Sequence, residues 1–162
     1  MRGRRGGRWR ARTGRGPGEG VPSLGVGKVF ERIDDDMRAF IAEQHMFFVA
    51  TAPREGGHVN LSPKGLDTLR VLDDNTVAYL DLTGSGAETV AHLRDNGRIT
   101  LMFCAFVGRP RIVRFAGRGT ATLTGEDGYD ELAAGFPDEP GARAVIVVDV
   151  DRIADSCGFA VP

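Results

Sequence analysis

Two turns of this chain carry small hydroxyls, glycines and a lysine in place of plain solvating residues. The first, residues 60–65 (NLSPKG), closes a predicted strand, and the second, residues 83–89 (TGSGAET), leads from a strand into a helix. A Gly/Ser turn that opens a helix leaves backbone N–H groups free at the positive end of the helix dipole, which favours a phosphate group. The turns therefore predict a phosphorylated cofactor. The side chains that would complete its anion site are those of Ser62, Lys64, Ser85 and Thr89.

Neither turn is specific when it is taken alone. Residues 83–86 lack the third glycine of a dinucleotide fingerprint and the Gly-Lys-Ser/Thr of a P-loop. The alternative interpretation is a pair of plain turns with an exposed lysine, in which the Thr89 hydroxyl bonds to its own helix backbone. Asp81 and Glu88 are interpreted as surface carboxylates, because no spacing places a partner for acid–base chemistry. The sequence therefore identifies no catalytic residue.

Length and composition indicate one globular domain. The chain has 162 residues, 41% of them hydrophobic, which is enough to bury a core without metal or disulfide staples. No apolar run approaches the roughly 20 residues of a membrane helix. Two cysteines fit a reducing compartment, and three scattered histidines give no metal-ligand spacing. We expect a cytoplasmic protein with no membrane association and no metal site.

Charge is distributed unevenly along the chain. Residues 1–20 hold seven arginines and one glutamate, which is a charge of +6. Because the net charge of the whole chain is -1, the remaining residues carry a charge of -7. Residues 1–27 are predicted to be a disordered, basic Arg/Gly-rich extension without the apolar stretch of a secretion signal. One interpretation of this extension is a basic arm that contacts nucleic acid or an acidic partner. The interpretation that we favour is a solvated tail, or a segment translated from an upstream start codon in GC-rich DNA. Residues 28–162 form the folded domain, whose acidity argues against nucleic-acid binding.

The pattern of apolar runs predicts an α+β fold that is mainly β, built as a small antiparallel barrel. Gly117 and Gly119 inside one strand predict a bulge or a close backbone approach. Pro63, which lacks an N–H, is expected to end regular pairing. The six predicted strands are residues 46–51, 58–62, 76–82, 98–106, 111–123 and 144–150, and the predicted helices are residues 28–44, 87–94 and 129–135.

Three strands are apolar on both faces, which predicts a dimer. These strands are residues 46–51, 98–106 and 144–150. Because one small barrel has only one interior, part of this apolar surface must be covered from outside, and a two-fold partner is the simplest cover.

The order of several sequence blocks resembles the pyridoxamine 5'-phosphate oxidase-like family of flavin-binding split β-barrels. The blocks are FFVATAP, HVNLSPKG, YLDLTGSGAET, HLRDNGRITLMFC and RIVRFAGRG, and the resemblance covers roughly residues 28–157. It implies a six-stranded antiparallel split β-barrel of Greek-key type with short flanking helices. It also implies a homodimer that holds FMN in two equivalent clefts between the subunits.

The resemblance also implies roles for single residues. The strand beneath the flavin supplies Asn60, Ser62 and Lys64. Arg111 approaches the cofactor from a later strand. The turn around the ribityl phosphate supplies Thr83, Gly84, Ser85, Gly86 and Thr89.

Two departures separate this chain from the oxidase proper. That enzyme has an Arg/Lys pair just after the Gly-Ser of its phosphate turn, where this chain has Gly86 and Ala87. It also has an Arg-x-His substrate motif near its C-terminus, which nothing after Val150 supplies. The resemblance is therefore to the broader branch of the family, and oxidation of vitamin B6 is not expected.

The function that follows is an FMN-dependent oxidoreductase that transfers hydride at the flavin N5 to or from a small molecule, whose identity stays open. One alternative is a reductase that uses the deazaflavin F420 on the same fold. The other is a non-catalytic protein that binds flavin or haem.

Overall fold

A computed structural model gives the structure of residues 27–84 and 86–161. The predicted disordered extension lies outside the described residues, apart from Gly27. The elements in chain order are β1 (Lys28–Phe30), α1 (Asp35–Ala42), β2 (Met46–Thr51), β3 (Asn60–Gly65), β4 (Leu69–Val71), β5 (Thr76–Leu82), α2 (Glu88–Asn96), β6 (Arg98–Cys104), β7 (Ile112–Leu123), α3 (Tyr129–Ala133) and β8 (Ala142–Ser156).

All the strands belong to one antiparallel sheet in the order β3-β2-β6-β7-β8-β5-β4, with β1 paired to β8. This mainly β, split-barrel architecture confirms the predicted fold class. The predicted number of six strands was wrong, because the described chain has eight. The two additional strands, β1 and β4, are three residues each and too short to show a period in the sequence.

The sheet curls strongly around a single main core. Phe47 on β2 and Tyr79 on β5 are four strands apart in the sheet, which would be about 19 Å in a flat sheet. Their ring centroids nevertheless lie 5.7 Å apart, edge to face. Phe103 and Phe115, from the strands between them, are also fully buried in this core. The inner face of the sheet therefore closes on itself as a half-barrel.

The predicted helix at residues 28–44 begins later than expected. Asp34 is its N-cap and accepts a hydrogen bond of 2.9 Å from the Met37 N–H, so the helix starts at Asp35. Residues 28–30 instead form β1 along the C-terminal half of β8, which itself runs to Ser156. Periodicity alone did not separate this edge strand from the amphipathic helix that follows it.

The expectation that Pro63 ends regular pairing was also wrong. Pro63 lies inside β3 in register with Phe48 of β2. β3 is the edge of the sheet, where a proline can turn its missing N–H toward the unpaired side. The second strand consequently runs from Asn60 to Gly65 rather than from residue 58 to 62.

Local signals placed other elements correctly. The helix predicted at residues 87–94 is α2, and Gly97 ends it in the left-handed conformation at φ 71°. The helix predicted at residues 129–135 is the short α3. None of the helices in the described part of the chain is long and apolar enough to cross a membrane.

The bulge predicted from the glycines of β7 is confirmed. The register between β7 and β8 shifts between Ala116 and Gly117. A Cβ atom on Gly117 would collide with the backbone carbonyl of Asp149. Glycine at this position therefore allows β7 and β8 to approach each other at the bend.

Gly117→Ala is expected to lower the unfolding free energy by about 2 kcal/mol, because the new methyl group has to displace backbone rather than a flexible side chain. For a domain of this size, the thermal midpoint should fall by roughly 4–8 °C. Gly84→Ala is the control, since a Cβ atom there meets nothing within 4 Å. Equal midpoints for the two variants would show that the close approach at Gly117 is not required.

Candidate functional site

The polar side chains of β3 face the interior of the half-barrel. In an antiparallel pair, residues in register share a face of the sheet. The register partners of Asn60, Ser62 and Lys64 on β2 are Thr51, Val49 and Phe47, which are all buried. The sheet therefore continues its core-facing surface into a polar edge at β3.

The N-terminus of α2 meets this polar edge. Thr89, in the first turn of α2, is 4% exposed, and its hydroxyl accepts a hydrogen bond of 3.0 Å from the Asn60 side-chain amide. Ser62 in turn donates to the Asn60 side-chain carbonyl at 3.1 Å. The structure thus brings Asn60, Ser62 and Thr89 together. The Thr89 hydroxyl is hydrogen-bonded to Asn60 of β3. This contact disfavours the alternative in which the hydroxyl bonds only to the backbone of its own helix.

Among the described residues, no side chain caps the N-terminus of α2. Its N-cap residue is Ala87, which makes no capping hydrogen bond through a side chain. The free N–H groups of the first turn therefore keep their capacity to bind an anion. The Glu88 carboxylate packs back against Gly86, where a Cβ atom would collide with it. An anion at this turn would displace that side chain.

A buried carboxylate connects β3, at one edge of the sheet, with β5 and β8 near the other edge. Lys64 donates to Asp81 at 2.6 Å, and the Arg143 Nε donates to the other oxygen of the same carboxylate at 2.7 Å. Asp81 is 0% exposed, so its interpretation as a surface carboxylate was wrong. We call Lys64, Asp81 and Arg143 the Asp81 cluster. It carries two cations and one anion, a net charge of +1.

The Asp81 cluster extends to the predicted phosphate turn. Arg143 donates from Nη1 to the Gly86 carbonyl at 2.8 Å. Thr83 is held at the other end of the turn, because its N–H and its hydroxyl both donate to the Gly141 carbonyl, at 2.7 and 2.9 Å. Gly84 is exposed, with open space where a side chain would lie. Ser85 lies outside the described residues, so its role stays a prediction.

The structure does not bring Arg111 to this site within one chain. Arg111 donates to Asp155 at 2.9 Å and to Asp36 at 2.8 Å, and its guanidinium lies 4.8 Å from the ring centre of Phe40. These contacts fasten α1 to the sheet. A cofactor contact by Arg111 stays a prediction, and it would need a site completed by a second chain.

Comparison with known proteins identifies the family. Residues 33–157 match the family described as pyridoxamine 5'-phosphate oxidase, which is most of the chain. The chain belongs to this family. Its curled antiparallel sheet with few short helices is the architecture that the family resemblance implied.

One curated relative and two solved structures are similar to this chain. The pyridoxamine 5'-phosphate oxidase family protein ustO of Aspergillus flavus is 44% identical over 137 residues, covering 82% of this chain and 55% of the relative. The chain thus spans about half the length of this curated relative.

Of the solved structures, HupZ from Group A Streptococcus is 30% identical with a TM-score of 0.59, covering 75% of this chain and 91% of HupZ. A structure described as an FAD-binding protein from Mesorhizobium loti has a TM-score of 0.56 at 10% identity, covering 80% of this chain and 95% of that chain. The second similarity shows the fold alone.

The residues at the Asp81 cluster fit a phosphate-bearing cofactor of the kind this family suggests. Two cations with one buried carboxylate leave one positive charge beside the N-terminus of α2, once the Glu88 carboxylate that lies against Gly86 has moved aside. One further buried polar group is unused: the Tyr79 hydroxyl, on the same strand as Asp81, has no hydrogen-bond partner among the described residues. Burial raises the pKa of Tyr79 above its ordinary value, and the charge of Asp81 raises it further. The hydroxyl therefore stays protonated and can donate.

Sequence reasoning missed Arg143 and misjudged Asp81. Arg143 is one of many arginines, and its position next to the site depends on pairing between β5 and β8, which are far apart in sequence. For Asp81 a local signal existed, because it lies between Leu80 and Leu82 in a strand with almost no other polar residue. A carboxylate in such a run requires buried partners.

Asp81→Asn is expected to lower the unfolding free energy by about 3 kcal/mol, because it leaves two largely buried cations facing each other without their shared anion. Urea denaturation would measure the loss. Asp138→Asn, at an exposed loop position, is the matched control and should leave stability unchanged. A loss below about 1 kcal/mol for Asp81→Asn would mean that the ion pairs contribute little.

Proposed function

We propose that this protein is an FMN-dependent oxidoreductase that acts on a small molecule. The observation that carries the proposal is the net positive Asp81 cluster beside the uncapped N-terminus of α2, on the fold of a family named for an oxidase. A solved neighbour of this fold is described as binding FAD, which supports a flavin as the ligand class.

In this proposal the protein positions the cofactor, and the cofactor carries the electrons. Bound FMN would supply hydride transfer at its N5 atom. The N–H groups of the first turn of α2 and the Lys64 ammonium would hold the phosphate. Asn60 and Ser62 would present hydrogen-bonding groups beneath the flavin from β3. The Glu88 carboxylate would swing away from Gly86 as the phosphate binds.

We further propose that the protein is a homodimer with the cofactor at the subunit interface. The outer face of β3 and β2 carries apolar side chains, of which Leu61 is 62% exposed, Met46 is 37% exposed, and Phe48 is partly buried. On β6, the neighbouring strand, Met102 is on the same face in register with Phe48. A partner chain would cover this surface, and it would also bring in a second Arg111.

An absorption spectrum of the purified protein, followed by titration with FMN, tests the function. A yellow chromophore or saturable FMN uptake, followed by reduction with NAD(P)H or reoxidation by oxygen, is the expected result. Uptake of F420 instead of FMN would assign the deazaflavin alternative. Tight binding of flavin or haem without any turnover would assign a carrier or sensor. Binding of no flavin would overturn the proposal.

Lys64→Ala is expected to weaken FMN binding about ten- to a hundredfold, because a charge-assisted contact contributes ~1.5–3 kcal/mol. The variant should also lose about 1–3 kcal/mol of unfolding free energy, because buried Asp81 keeps only one partner. Quenching of flavin fluorescence measures the affinity while the protein is still folded. Lys28→Ala, which removes the chain's other lysine from β1, is the control. An unchanged FMN dissociation constant in Lys64→Ala would show that Lys64 is not a ligand of the cofactor.

Light scattering at micromolar concentration should give the mass of a dimer for the wild-type chain. Leu61→Arg should shift it toward the monomer, because a charge would be buried in the proposed interface. Leu72→Arg changes another exposed leucine, in the turn after β4, and should leave the dimer intact. A wild-type monomer would exclude both the dimer and an inter-subunit cofactor cleft.

A further inference from the structure

Arg143 occupies an unusual position in β8. Asp81 of β5 is in register with Ala144, and the next residue, Leu82, is in register with Ala142. Arg143 is therefore the extra residue of a β-bulge and has no partner of its own on β5. Bulges redirect a side chain, and they occur often beside functional sites. Here the bulge turns the arginine toward the buried Asp81 and the phosphate turn.

The guanidinium of Arg143 connects three parts of the fold. Its Nε donates to Asp81 on β5, and its Nη1 donates to the Gly86 carbonyl in the turn before α2. These two bonds fix the plane of the guanidinium while it remains 23% exposed. Nη2 makes no hydrogen bond to any described residue. A fixed guanidinium with a free outer edge is well suited to bind an oxyanion.

The Asp81 cluster gives this edge an excess positive charge once the Glu88 carboxylate, which lies against Gly86, has moved aside. Asp81 accepts from Lys64 as well as from Arg143, so one carboxylate neutralises one of two cations. The Tyr79 hydroxyl is 0% exposed and without a hydrogen-bond partner among the described residues. Tyr79 lies two residues before Asp81, on the same face of β5.

We propose that Arg143 is a ligand for the phosphate monoester of the cofactor, oriented for this task by Asp81 and the Gly86 carbonyl. This inference rests on the proposed flavin function. It differs from a purely structural role, in which Arg143 would only tie β8 to the turn. A structural role would affect every flavin equally, whereas a phosphate ligand distinguishes FMN from riboflavin, which has the same ring and ribityl chain without the phosphate.

Titration of full-length wild-type protein and Arg143→Gln with FMN and with riboflavin tests the inference. The variant should bind FMN about ten- to a hundredfold more weakly and riboflavin within about twofold of wild type. Partial unfolding would lower the apparent affinity for both flavins by the same factor, so the ratio of the two dissociation constants reports phosphate recognition. Arg94→Gln, which removes an exposed arginine at the last turn of α2, is the control.

Arg143→Lys covers the case in which the glutamine variant does not fold. It keeps a cation beside Asp81, but a lysine cannot reproduce the planar fork that reaches Asp81, Gly86 and a phosphate together. FMN binding should still weaken at least about fivefold with riboflavin unchanged.

The possible outcomes separate the two proposals. An unchanged ratio of the FMN and riboflavin dissociation constants in the folded Arg143 variants would overturn this inference and leave flavin binding intact. Equal affinity of wild type for both flavins would also overturn it, because no phosphate is then recognised. Binding of neither flavin by wild type would overturn the proposed function, and this inference with it.

Discussion

One carboxylate that has been removed from water constrains the curvature of the whole sheet. Asp81 is fully buried, and its charge is tolerated only because Lys64 and Arg143 reach it. Lys64 lies on β3 at one edge of the sheet, and β5 lies five strands away, about 24 Å in a flat sheet. The 2.6 Å contact can form only when the sheet curls until these strands face each other. The hydrophobic core and the ion pair therefore require the same curvature.

A buried ion pair is a poor way to gain stability, since an apolar replacement of similar volume is often as stable or more so. The neighbouring positions on the inner face of β5, Val77 and Tyr79, belong to the hydrophobic core. The Asp81 cluster interrupts that core at the point where the turn of residues 83–86 begins. The free-energy cost of burying these charges is explained better if the cluster prepares an anion site than if it stabilises the barrel. The same carboxylate that holds the cations also prevents their mutual repulsion before any ligand binds.

Elements whose signals are local could be predicted from the sequence. The apolar run of β2, the glycine that ends α2 and the glycine bulge of β7 each depend on a few consecutive residues. Pairing between distant strands could not be read in this way. It decides that Pro63 lies on an edge strand, that the short β1 joins β8, and that Arg143 reaches the Gly86 carbonyl in the turn before α2. The cofactor contact that the sequence blocks suggested for Arg111 stays a prediction, while Asp36 and Asp155 bind this arginine within the chain.

The predicted phosphate turn, residues 83–89, has no basic residue of its own. A turn without long side chains lets the backbone approach a ligand closely, but it contributes no charge beyond the helix dipole. In the folded protein, positive charge comes to the same place from β3 and β8, through Lys64 and Arg143. Because β3 is an edge strand and β8 lies four strands away in the sheet, an anion bound by both cations would hold together parts of the sheet that only its curvature brings close. Such an anion would add to the stability of the folded protein, since a ligand that binds only the folded state favours that state by mass action.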